Sequence, residues 1–139
     1  VQLREVVEAL LHVGGGVAVD VYSEVHAVIG GQLLGLAPGA VVRDSILLTD
    51  TVVEQDAVVD RCILDKETVV GKEAKVGDGD DNTPNQAAPE RLNTGLTVAG
   101  RRTRIPAGAI IGRNVVLMPR TSSEQFGPDL VVPSGATVV

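Results

Sequence analysis

Aromatic side chains are almost missing from this chain, which holds one Phe, one Tyr and no Trp in 139 residues. A core without large rings has to be closed by Val, Ile, Leu and Ala, which suits a narrow interior. Cysteine is equally scarce. Cys62 alone excludes an internal disulfide framework and fits a reducing, cytoplasmic setting. Twelve Lys and Arg stand against eighteen Asp and Glu, for a net charge of −6. With no basic surplus and no rings to stack on bases, no nucleic-acid partner is expected. No apolar run approaches the ~18 residues of a membrane span, because Asp20, Glu24 and several glycines interrupt the most hydrophobic region. The first residues show no signal-peptide pattern either. Neither GxxxxGK[ST] nor GxGxxG occurs, so the sequence has no signature of a phosphate-cradling loop.

What the chain does contain is a repeat. Ala40–Asp56, AVVRDSILLTDTVVEQD, and Ala57–Glu73, AVVDRCILDKETVVGKE, are identical at eight of seventeen positions. Val42, Leu47, Val53, Val59, Leu64, Val70 and Val76 follow one another at intervals of five or six residues. Two positions before each stands a small residue: Ala40, Ser45, Thr51, Ala57, Cys62, Thr68 and Ala74. A helix needs recurrence near 3.6 residues and an ordinary strand needs alternation, so this pattern fits neither. It fits a coil of three short strands. The aliphatic residue points inward, the small residue fills the space beside it, the next residues turn a corner, and each coil stacks on the last at about 4.8 Å. Corner residues such as Asp60 are expected to face water, and Cys62, in a small inward slot, is read as filler and not as a nucleophile.

Val1–Val13 reads as a short amphipathic helix, with Leu3, Val6, Val7, Leu10 and Leu11 on one face, ended by Gly14–Gly16. Residues 1–16 are therefore taken as helix and linker, and 17–139 as the solenoid. Projecting the register backwards puts Val25 under Val42 and Leu36 under Val53, with Ser23 and Leu34 in small slots. Gly30 falls where an aliphatic residue is wanted, so an imperfect coil is expected there. After Val76 the period breaks over residues 77–94, GDGDDNTPNQAAPERLNT, which predicts an excursion with an exposed, mobile middle. Val98, Ile105 and Ile111 are then read as inward, with Thr103 and Ala109 beside them, and Val115–Leu117 as a continuation. Residues 120–128 form a second irregular insert, after which Val132 and Val138 resume with Ala136.

The stretch resembles the hexapeptide-repeat family, which implies an all-β, left-handed parallel β-helix; handedness comes from the resemblance alone, since parallel crossovers are right-handed in about 98% of cases. The run from Asp44 to Gly77, the excursion, and then TGLTVAGRRTRIPAGAIIGRNVV are similar in order to the C-terminal domain of the bacterial glucose-1-phosphate adenylyltransferase family. Ile63–Glu67, ILDKE, and Gly95–Asn114 carry the closest likeness. Catalysis in that family resides in an N-terminal α/β domain with a Gly-rich, Arg-containing loop and acidic ligands for Mg²⁺, to which nothing here corresponds. The resemblance therefore implies no catalytic residue and no cofactor in this chain, Mg²⁺ belonging to a catalytic domain. It implies a domain of assembly and regulation, with a homo-oligomer and a small anionic effector as expected partners. A stand-alone hexapeptide acyltransferase and a purely structural oligomerisation module remain open.

Few residues offer chemistry of their own. Zinc in hexapeptide carbonic anhydrases needs three histidines, and only His12 and His26 are present, so no metal site is expected. Asp78, Asp80 and Asn82 have the spacing of the first ligands of a calcium loop, but Thr83 replaces its Gly and Pro89 its final Glu. His26 stands in the irregular region before the coils and is read as an exposed or capping side chain, although hexapeptide acyltransferases use a His as general base. Arg101, Arg102 and Arg104 form the one basic cluster and are the candidate anion-binding residues, with Lys66 and Lys72 expected nearby once the coils stack.

Overall fold

The computed structural model describes residues 17–19, 24–29 and 34–139; the helix expected over 1–13 lies outside the described residues. Its strands in chain order are β1 (Val17–Val19), β2 (Glu24–Ile29), β3 (Leu34–Leu36), β4 (Val41–Leu47), β5 (Val52–Val53), β6 (Val58–Asp60), β7 (Cys62–Leu64) and β8 (Val69–Val70). They continue with β9 (Lys75–Val76), β10 (Thr97–Ala99), β11 (Arg104–Ile105), β12 (Ile110–Ile111), β13 (Val116–Leu117), β14 (Val131–Val132) and β15 (Thr137–Val138). All described pairings are parallel, and they build a three-faced β-solenoid. Face one stacks β1, β3, β5, β8 and β11. Face two stacks the first halves of β2 and β4 with β6, β9, β12 and β14; face three stacks their second halves with β7, β10, β13 and β15.

Each face buries one column of aliphatic side chains. On face two Val42, Val59, Val76, Ile111 and Val132 stand one above another, and on face one Leu36, Val53, Val70 and Ile105. All are buried, each stabilising by about 1.5–3 kcal/mol relative to exposure. Small residues fill the corners between columns, and each corner has its own chemistry. Ala40, Ala57, Ala74 and Ala109 share one corner column. Thr51, Thr68, Thr103 and Thr121 share another, where each hydroxyl donates to the carbonyl three residues back at 2.6–2.8 Å. A buried hydroxyl is tolerable there because the turn itself supplies its acceptor.

The register from Ala40 to Val76 is as the spacing predicts, and Val25 and Leu36 do pair with Val42 and Val53. Two other expectations are corrected. The inward residue of β10 is Ala99, not Val98: Ala99 is fully buried and pairs with Leu64 and Leu117, while Val98 faces outward. A slip of one residue reverses a strand's faces, and the bulkier side chain was the wrong guide after the excursion had broken the count. Ile29, not Gly30, pairs with Leu47, because β4 carries Asp44 as an extra corner residue at φ 45°. Residues 120–128 hold no strand, yet they stay attached to the coil. Thr121 keeps its slot, a 3₁₀ turn follows at Ser123–Gln125, and Phe126 turns back into the core.

The excursion at 77–94 is largely exposed, but its middle is anchored. Asn85 is fully buried, and Leu92 lies at its margin. Gly77 opens the excursion at φ 78°, where a Cβ would run into the carbonyl of Asp60, so glycine is needed both for conformation and for space.

Candidate anion site at a basic corner

Between faces three and one the chain turns through two residues in each coil. The second is held at positive φ each time: Asp50 (62°), Glu67 (61°), Arg102 (60°) and Arg120 (64°). Corners stack because the amide of Glu67 donates to the Thr49 carbonyl at 2.9 Å, that of Arg102 to Lys66 at 2.9 Å, and that of Arg120 to Arg101 at 2.8 Å. Lys66 and Arg101 therefore follow one another along one edge, and Glu67, Arg102 and Arg120 along the next.

Of the predicted residues, Arg101 and Arg102 lie together at this corner and Arg104 two residues on, exposed on β11. Lys66 is one coil below them. Lys72 is not: its carbonyl accepts from Gly108 at the far end of face one. Two residues were missed by reading local clusters alone. Arg120 stands directly over the corner, and Glu67 sits inside it; Glu67 lies 35 residues before Arg102, across the excursion, so no constant coil-to-coil offset leads to it.

The Glu67 carboxylate bridges the arginines, with Oε2 at 2.6 Å from Arg102 Nε and Oε1 at 3.7 Å from Arg101 Nη2. The hydrogen bond from Arg102, opposed by desolvation and aided by the charges of Arg102 and Arg101, holds this carboxyl below its usual range. All three side chains remain well exposed, at 38% for Glu67, 48% for Arg102 and 55% for Arg101. Lys66, Arg104 and Arg120 have no ion-pair partner among the described residues. The corner is thus a cationic surface on an acidic protein, with donors positioned for an oxyanion.

The corner between faces two and three is built differently. Asp60, expected to face water, instead pairs with Arg113 at 3.3 Å, the side chains being 23% and 15% exposed. Arg113 Nε also donates to the Gly79 carbonyl at 2.5 Å, and its Nη1 is buried without a partner. Beside it Asn114, at φ 56°, donates from Nδ2 to Asn82 and Thr83 and accepts the Gly95 amide at 2.7 Å. Asn85 Nδ2 donates to the carbonyls of Asn114 and Ala136 and to the Thr137 hydroxyl, while its Oδ1 accepts from Ala87 and Ala88. These bonds fasten the excursion across the coils.

Cys62 lies under this same corner. Burial pushes its thiol up to about 12, so it stays protonated and unreactive. Asp78 and Asp80 are exposed, Asp81 accepts from the Thr83 hydroxyl, and Asn82 donates to the Asn93 carbonyl. No group of three or more His, Cys, Asp or Glu able to hold a metal occurs among the described residues. Among the described residues the basic corner gathers the guanidinium groups of Arg101 and Arg102 around the single carboxylate of Glu67.

Residues 4–99 match the family model described as GlmU-like, C-terminal hexapeptide. The chain belongs to this family. A curated relative of the hexapeptide domain, a glucose-1-phosphate adenylyltransferase from Thermomicrobium roseum, is 46% identical over 96 residues, covering 69% of this chain and 22% of the relative. A second protein of that name, from Acetivibrio thermocellus, is 36% identical over 104 residues, covering 75% of this chain and 24% of the relative. The hexapeptide domain described here thus spans less than a quarter of the length of these relatives. No helix among the described residues is long and apolar enough to cross a membrane.

Proposed function

We propose that this chain acts as the C-terminal assembly and regulatory domain of a glucose-1-phosphate adenylyltransferase. The parent reaction joins ATP and glucose 1-phosphate into ADP-glucose and pyrophosphate for glycogen synthesis, in the cytoplasm. The observation that carries this reading is the 46% identity to a relative of that name over 96 residues. Nucleotidyl transfer requires a phosphate cradle and carboxylates for Mg²⁺. In this reading both belong to a catalytic domain, and the β-helix contributes a rigid platform.

Self-association is supported by the outer surface of face three. Ile46, Ile63, Val98 and Val116 follow one another there in register, flanked by exposed Met118. An uninterrupted aliphatic column on an outer face is the kind of surface that a second copy covers. Regulation is supported by the basic corner, where Arg101, Arg102 and Arg104 take a small anion.

Sedimentation at micromolar concentration tests the proposal, together with melting in added phosphate. A species larger than 14.4 kDa and a raised melting temperature are expected, with no pyrophosphate formed from ATP and glucose 1-phosphate. A clean monomer whose melting ignores phosphate would leave the proposal without support.

A further inference from the structure

We infer that Glu67 is a built-in competitor for the anion site, a carboxylate that occupies the arginine pair and has to swing aside when a phosphate-type oxyanion binds. The inference rests on the reading of the basic corner as an anion site, and adds how that site is regulated. Its two oxygens face two different guanidinium groups, Arg102 at 2.6 Å and Arg101 at 3.7 Å, as two oxygens of a phosphate would. Nothing else in the described structure holds it. Glu67 makes no further side-chain hydrogen bond, and the side chain is open to water. Its departure leaves no buried group unsatisfied.

Removal of Glu67 does not make the neighbourhood acidic. Lys66, Arg101, Arg102, Arg104 and Arg120 remain beside two other acids, Asp65, whose carboxylate accepts from the Lys66 amide at 2.7 Å, and Asp50, one coil below Glu67 in the same corner column. An exposed pair of this kind is weak, so a dianion can displace it, yet the displaced carboxylate stays close enough to repel the incoming charge. Glu67 thereby raises the concentration of anion needed to fill the site.

The test is calorimetric titration of the chain with inorganic phosphate at low ionic strength, in wild type, Glu67→Gln, Arg102→Gln and the double variant. The expected result is about fivefold tighter binding in Glu67→Gln than in wild type, the scale set by a screened exposed charge, and loss of binding in both variants lacking Arg102. Equal or weaker binding in Glu67→Gln, with wild type binding through Arg102, overturns the competitor role and leaves the anion site standing. Phosphate binding that survives Arg102→Gln, or no binding in either wild type or Glu67→Gln, overturns the site itself.

Discussion

Two corners of the same coils each carry an arginine against a carboxylate, and they differ in everything around the pair. Arg113 and Asp60 are mostly buried, and the arginine also binds the backbone of the excursion, beside an asparagine network that ties residues 82–85 to residues 114–137. Arg102 and Glu67 meet closer, at 2.6 Å, yet both face water. The shorter contact is the weaker one, because solvent screens it and holding long side chains still costs entropy. Breaking the buried pair strands a charge away from water, while breaking the exposed pair returns two ions to it. The first arrangement suits a structural latch, the second a site that exchanges partners.

Substitutions separate the two corners by size of effect. Asn114→Ala should cost most, about 2–4 kcal/mol, since it leaves the Gly95 amide and the carbonyls of the excursion unpaired and strains a left-handed position. Denaturant melts measure this; a loss too small to detect would mean that the excursion is not fastened. Arg113→Gln should cost about 1–3 kcal/mol, below the figure for a fully buried pair because its side chain is 15% exposed. Glu67→Gln should leave the melting temperature unchanged. What little the Glu67 pair adds is present above the ordinary carboxylate range and fades as pH falls through the lowered pKa of the native carboxyl. An Arg113→Gln variant as stable as Glu67→Gln would erase the distinction.

Much of the lumen was legible in the sequence. Fourteen slots from Ala40 to Val76 could be assigned by counting alone, because a narrow interior admits one aliphatic and one small residue per face and punishes any other order. Counting failed where the chain left the coil. Across 77–94 the register carries no memory, and Val98 looked better than Ala99 only for its size. Asn85 read as loop polarity; its burial depends on partners 29 to 52 residues away, which no local pattern encodes. Clustering of Arg101, Arg102 and Arg104 was visible, whereas Glu67 and Arg120 join them only through stacking. Asp60 read as a solvent corner because the arginine that covers it lies 53 residues on.

The contrast between latch and exchange site is tested most directly by melting wild type, Arg102→Gln and Arg113→Gln with and without inorganic phosphate. Arg102→Gln should melt like wild type without phosphate and lose the phosphate-induced rise, whereas Arg113→Gln should melt lower and keep the rise. A phosphate response that disappears with Arg113 and persists without Arg102 would contradict the assignment of the two corners.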